Sequence, residues 1–158
     1  MAIKHRREPA RHPLTSFIAS KKLGSTEEER LMGMFDHVSI GVKDIERSRQ
    51  FYDALLAPLG YERLSNFDGT VGYGADKPAF WVSQVARPVP ADRGSGLHFC
   101  FTAPSEEAVN AFYAAGVANG GEDNGTPGIR PDYGQFYYAA FIIDPDGYRL
   151  EAFFFKPE

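Results

Sequence analysis

The sequence predicts an α+β fold of two tandem βαβββ modules, and three observations carry that prediction. Two stretches copy each other at a constant offset of 61 residues: Asp36-His37-Val38-Ser39-Ile40 opens one, Leu97-His98-Phe99-Cys100-Phe101 the other. Phe51-Tyr52 and Phe112-Tyr113 each follow their histidine by fourteen residues, and Gly60 and Gly121 keep the same offset. Within each copy, hydrophobicity alternates with period two and then recurs at helical spacing. A repeat of this length is one supersecondary unit used twice, so His37 and His98 are expected to be related by a pseudo-two-fold axis.

In the first copy, Phe35, His37 and Ser39 fall on one face of a strand, with Asp36, Val38, Ile40 and Val42 on the other. Asp44 is a suitable N-cap for a helix whose stripe is Ile45, Ser48, Tyr52, Leu55 and Leu59, stopped by Pro58 and Gly60. Two or three short strands follow, separated by glycines, with Ala79-Phe80-Trp81-Val82-Ser83 the clearest. The Pro- and Gly-rich segment 87–96 links the copies. In the second copy Leu97 to Phe101 is a strand, and Ser105 caps a helix with Glu106 and Glu107 in its first turn, where they favour the macrodipole. Ala108, Val109, Phe112 and Ala115 form its buried stripe. A polar, Gly-rich stretch from Glu122 to Gly134 reads as loop. Strands 136–143 and 148–155 flank Asp144-Pro145-Asp146-Gly147, a turn with Gly147 suited to positive φ.

Alternation then assigns the chemistry to faces. Val38, Ile40 and Val42 match Phe99 and Phe101 as the helix-packing set. His37, Ser39, His98 and Cys100 point the other way. That face is expected to line the concavity of the curled sheet, and in the last strand Glu151 shares it with Arg149, Phe153 and Phe155, while Leu150, Ala152 and Phe154 are the helix-packing set. His37, His98 and Glu151 are thus candidate ligands of one metal ion.

Composition bounds the alternatives. The 158 residues are 43% hydrophobic and 14% aromatic, enough for one domain with a sizeable core. Residues 1–33 carry seven Lys/Arg against four Glu, a net +3, which leaves −7 of the overall −4 on residues 34–158. An acidic folded part argues against nucleic-acid binding. No apolar run is long enough to span a bilayer, and no membrane association is expected. Cys100 has no intramolecular disulfide partner; with no secretory signal, a cytoplasmic location is expected. Residues 1–33 read as a disordered leader or the product of an upstream start, with Met34 as the alternative beginning. A targeting peptide is the sharper alternative, since residues 9–26 hold no acid. The domain is expected over 34–158, with modules at about 35–86 and 96–156.

The sequence resembles the vicinal oxygen chelate superfamily, which includes glyoxalase I, bleomycin-resistance proteins and extradiol dioxygenases. The matching text is Phe35-Asp36-His37-Val38, Gly41-Val42, Asp44, Phe51-Tyr52 and Leu59-Gly60-Tyr61. In the second copy it is Gly96-Leu97-His98-Phe99, Tyr137-Tyr138-Ala139-Ala140-Phe141, Asp144-Pro145-Asp146-Gly147 and Leu150-Glu151. The resemblance implies paired βαβββ modules whose two four-stranded sheets make a partly open, mostly antiparallel eight-stranded cup around a divalent metal. It implies His37, His98 and Glu151 as ligands of Fe, Mn, Ni, Co or Zn, a choice that the ligand types do not make. Glyoxalase I-like members commonly add a fourth protein ligand on the last strand of module one. Ala79-Phe80-Trp81-Val82 offers none, so the set looks instead like the two-His-one-carboxylate triad of extradiol dioxygenases.

A metal-dependent isomerase, lyase (lactoylglutathione lyase-like) or ring-cleaving dioxygenase acting on a small vicinal-oxygen substrate is therefore expected. Glu151 is the candidate base, Tyr137 or Tyr138 (only one of which can face the site) a candidate catalytic residue, and Trp81, Arg149 and Phe153 candidate substrate contacts. A metal-free binding protein of bleomycin-resistance type is the alternative reading, and an interaction domain recruiting a partner through its leader is a third. A homodimer is expected, because paired modules bury open edges or exchange between chains. Cys100 has no predicted base beside it and reads as an inert thiol.

Overall fold

The computed structural model describes residues 34–89 and 94–156; the leader and the expectations attached to it lie outside the described residues. The first module runs β1 (Val38–Val42), α1 (Ile45–Leu56), β2 (Glu62–Phe67), β3 (Thr70–Gly74) and β4 (Phe80–Gln84). The second runs β5 (His98–Thr102), α2 (Glu106–Ala118), β6 (Glu122–Ile129), β7 (Tyr137–Ile143) and β8 (Arg149–Phe155). The strands form two open four-stranded sheets in the orders β1-β4-β3-β2 and β5-β8-β7-β6. In each, the first strand lies at the edge, parallel to the last, and the remaining pairs are antiparallel. The α+β two-module fold read from the repeat is the fold observed.

Both helices begin where the sequence places their caps. The Asp44 carboxylate accepts from Arg47 N–H at 3.1 Å and the Ser105 hydroxyl from Ala108 N–H at 3.2 Å, each satisfying an otherwise orphaned donor. Helix α1 ends at Leu56, and a 3-10 turn, Ala57–Leu59, takes over. Pro58 explains this: it has no N–H to donate to Ala54, and its ring crowds that carbonyl. The Glu122–Gly134 stretch corrects the sequence reading, because most of it is strand β6. Its Glu-Asp-Asn-Gly-Thr-Pro-Gly composition lacks strand propensity. Pairing with β7 supplies the order instead, through a ladder broken by two register shifts at Asp123/Gly125 and Gly125/Gly128.

The helix-bearing faces of the two sheets meet in one core. Ile40, Val42, Val71, Tyr73 and Val82 from the first sheet join Ala140, Ile142, Leu150 and Ala152 from the second, with Phe51, Tyr52, Leu55, Val109 and Phe112 of the helices between them. Phe80 packs edge-on against Phe99 and Phe101, with ring centroids 5.8 and 5.3 Å away. Such pairs add about 0.5–1.5 kcal/mol beyond simple burial.

A polar joint also crosses the modules at the predicted Asp144–Gly147 turn, where Gly147 has φ +98°. Tyr52 OH donates to Asp144 Oδ2 at 2.6 Å, and Asp144 Oδ1 accepts from Tyr148 N–H and Asp146 N–H at 2.7 and 3.0 Å. Asp146 receives Arg47 Nη2 at 2.7 Å and Lys43 N–H at 3.2 Å, while Tyr148 OH donates to Gly41 O at 2.9 Å. Burial raises the pKa of Asp144; the bonds from Tyr52 and Tyr148 act against that rise.

Candidate functional site

Strands β5 and β8 position the polar face of the second module. In their parallel register Phe99 meets Leu150 and Phe101 meets Ala152 on the core side, so His98–Arg149 and Cys100–Glu151 pair on the other face. Glu151 is 3% exposed although it faces away from the core. His98 Nε2 lies 3.3 Å from its Oε2, and the Tyr137 hydroxyl donates to its Oε1 at 2.8 Å. Tyr137 stacks on Phe153 with centroids 4.9 Å apart. That fixes its ring and gives Phe153 a supporting contact.

Burial, then the bond to Glu151, raises the Tyr137 phenol well above the usual tyrosine value, so this hydroxyl keeps its proton and acts as a donor. Cys100 Sγ is 3.9 Å from the Tyr137 oxygen. Partial burial of its sulfur, then the Glu151 charge, pushes the thiol up to about 12, which leaves it protonated and unreactive. Tyr138 turns to the helical side, where its hydroxyl donates to Asn110 at 2.9 Å and its ring packs against the core. It does not reach the carboxylate.

The corresponding face of the first module has a different content. Ser39 pairs with Trp81 as Cys100 pairs with Glu151, so Trp81 occupies the position equivalent to the acid. Its ring lies over Gly72: a Cβ there would stand 2.8 Å from two ring atoms and 2.9 Å from Pro78. Phe67 flanks it at 5.9 Å. His37, just before β1, has Nδ1 2.9 Å from Asp36 Oδ2, which leaves Nε2 as the nitrogen not engaged by that carboxylate. The imidazole bond and then Lys77 lower Asp36 to about 2.

The sequence left open whether His37, His98 and Glu151 would meet within one chain or between two exchanged chains. Among the described residues, no three His, Cys, Asp or Glu side chains are grouped closely enough to hold a metal. The two modules pack through their helical faces, so the faces carrying the imidazoles look outward. His98 and Glu151 come together; His37 and Trp81 belong to the other module's face. The shared face of the acid and the imidazole was legible from alternation alone; which of Tyr137 and Tyr138 meets the acid was not. The Asp36 partner of His37 carries no pattern beyond adjacency and was missed.

Two hollows lie near His98. One, of about 430 Å³, lies chiefly on the core side, is mostly apolar, and runs from Phe35 and Val38 past Phe80 and Phe99 to His98, Cys100 and Thr102. The other, of about 330 Å³, is lined by Gly96, His98, Asn124, Tyr133, Phe141 and Arg149. No helix among the described residues is long and apolar enough to cross a membrane.

With this geometry, comparison with known proteins is decisive for the family. The Glyoxalase/Bleomycin resistance protein/Dioxygenase superfamily model matches residues 34–152, and the chain belongs to that superfamily. A solved glyoxalase/bleomycin resistance protein from Albidiferax ferrireducens is 40% identical, with a TM-score of 0.65 over 77% of this chain and 98% of that one. A glyoxalase-related enzyme from Fulvimarina pelagi shares the fold at 20% identity, with a TM-score of 0.60 over 78% and 88% of the two chains. So does a glyoxalase/bleomycin resistance protein/dioxygenase family enzyme from Burkholderia phytofirmans, at 16% identity and a TM-score of 0.57 over 75% and 95%. Comparison with curated proteins finds no match.

Proposed function

We propose that the protein is a divalent-metal-dependent enzyme acting on a small substrate with adjacent oxygen atoms, and that His37 from a second copy of the chain completes the ligand set begun by His98 and Glu151. The observation that supports this most is the buried carboxylate. Removing an ionised carboxylate from water costs several kcal/mol unless a cation or several hydrogen bonds compensate. Glu151 has a phenol donor on Oε1, an imidazole nitrogen 3.3 Å from Oε2, and the weakly donating Cys100 thiol as a further hydrogen-bond partner. Glu151 and His98 would hold a divalent cation, whose charge would compensate the buried carboxylate. The donor types fit Fe, Mn, Ni, Co or Zn equally.

When bound, the metal would act as a Lewis acid that chelates adjacent oxygens and stabilises developing enolate charge. The protein's own contribution is positional. Tyr137 orients Glu151 and, with its raised pKa, keeps its proton in place. Asp36 engages His37 Nδ1 and thereby presents Nε2, the usual arrangement around a ligating imidazole. Trp81 provides an aromatic surface where a fourth ligand would stand, which favours a three-ligand set with open positions.

Subunit mixing tests this reading. His37→Ala and His98→Ala chains, each alone, are expected to lose stoichiometric metal. Co-refolded together, they form heterodimers with one intact and one doubly defective site, and metal content returns to one ion per heterodimer. No recovery, or full metal binding by either single variant, would sink the shared site. Tight ligand binding in chelator-treated protein without any metal dependence would favour the sequestration alternative.

A further inference from the structure

We infer that the 430 Å³ hollow between the modules is a binding site for a small, uncharged aromatic molecule. The hollow exists because the two modules close differently. In the second, the turn between β7 and β8 is fastened across the joint: Asp146 takes Arg47 Nη2 and Lys43 N–H, and Tyr148 OH donates to Gly41 O. In the first, the matching segment between β3 and β4, residues 75–79, places only the methyl groups of Ala75 and Ala79 along the hollow. Its Lys77 turns back to bond Asp36 of its own module. The gap against strand β5 is therefore left open.

The lining sets the chemistry of the ligand. Among the described residues that form it there is no Asp, Glu, Lys or Arg. Its two phenols are already committed: Tyr61 OH donates to Thr102 O at 3.1 Å, and Tyr73 OH to Asp53 Oδ1 at 3.0 Å. A charged ligand would lose its water there without gaining a partner of opposite sign. Apolar surface is available instead. Val38, Tyr61, Phe99 and Phe101 pack against the core without being fully buried, and Phe35 is 74% exposed. A ligand would remove that surface from water.

The rings favour an aromatic occupant over an aliphatic one. Phe80 meets Phe99 and Phe101 edge-on, and Tyr61 is tilted on Phe101 with centroids 6.5 Å apart. Walls built this way present both ring edges and ring faces, which a further aromatic ring complements through its own quadrupole. The volume falls within the range of small-ligand pockets, about 300–1,000 Å³. The site lies chiefly on the core side of the sheets and does not rest on the proposed metal.

Full-length protein would be titrated calorimetrically with 2-naphthol, its saturated counterpart decahydro-2-naphthol, and 2-naphthoate. 2-Naphthol is expected to bind about three- to tenfold more tightly than the saturated alcohol, and at least about tenfold more tightly than the anion. Val38→Phe and Ala75→Leu, which fill the hollow from β1 and from the turn, should each weaken 2-naphthol at least about tenfold. Tyr133→Ala, which alters only the other hollow, should leave it unchanged, with thermal melting confirming that every variant folds. No binding by the wild type, naphthoate bound as tightly as naphthol, or binding that survives both filling variants would overturn the inference. So would a dimer that Val38→Phe dissociates and that binds no naphthol, since a second copy would then occupy the hollow. Equal affinity for the aromatic and saturated alcohols would overturn the aromatic preference.

Discussion

The first module and the second share a backbone plan position by position, yet their outward faces carry different chemistry. His37, Ser39, Ala79 and Trp81 stand where His98, Cys100, Arg149 and Glu151 stand, and Gly72 stands where Phe141 does. On the helical faces the correspondence is conservative: Phe51 answers Phe112, Ile40 answers Phe101, and Asp44 and Ser105 both cap their helices. Packing therefore holds the repeat on one side of each sheet, while the other side is free to differentiate. One module offers an aromatic wall with an imidazole at its edge. The other offers a buried acid, an arginine and an imidazole, and a site made from both faces would have unlike walls.

The largest expected effect tests whether this asymmetry is functional. Glu151→Ala should eliminate stoichiometric metal, whereas Trp81→Ala at the equivalent position should leave it intact, as read by elemental analysis of purified protein. Equal behaviour of the two variants would break the distinction. Next comes the Phe-Tyr pair that each helix repeats. Tyr52 is fully buried and donates to Asp144, whereas Tyr113 is only half-buried. Tyr52→Phe should cost about 1–3 kcal/mol in urea denaturation, because it leaves a buried carboxylate oxygen without its donor. Tyr113→Phe should cost less than about 1 kcal/mol.

Gly72→Ala should destabilise by about 1–3 kcal/mol through overpacking against the Trp81 ring. Adding Trp81→Ala should recover part of that loss, a non-additivity measurable by a double-mutant cycle. The smallest effect concerns two aspartates of opposite sense. Asp36 is lowered to about 2, so its contribution is present above the unfolded value of 3.8 and is lost as pH falls toward 2. Asp144 is raised, so its contribution is present below 3.8 and is lost as pH rises through the elevated native value. Carboxyl-carbon NMR titration should place the two midpoints on either side of 3.8, and Asp144→Asn should flatten the second slope.

Much of this was legible in the chain because the informative patterns are local. A period of two assigns Glu151 and His98 to one face and Leu150 and Phe99 to the other without reference to any partner strand. The caps follow from residues three apart. Strand β6 was not legible, since its order comes from β7 rather than from its own composition. Nor was the choice between Tyr137 and Tyr138, because alternation says that they differ in face and not which one meets the acid.

The sequence by itself determined the repeat, the helices with their caps, most of the strands, and the placement of the two histidines and the acid on the faces opposite the helices, since each follows from neighbours along the chain. Only the tertiary structure decided that the helical faces share a core, that Tyr52, Asp144 and Tyr148 join the modules through buried polar bonds, and that His37 stands apart from His98 and Glu151. Those outcomes depend on which surface of one module meets which surface of the other, a contact between residues about a hundred positions apart for which strand alternation carries no information.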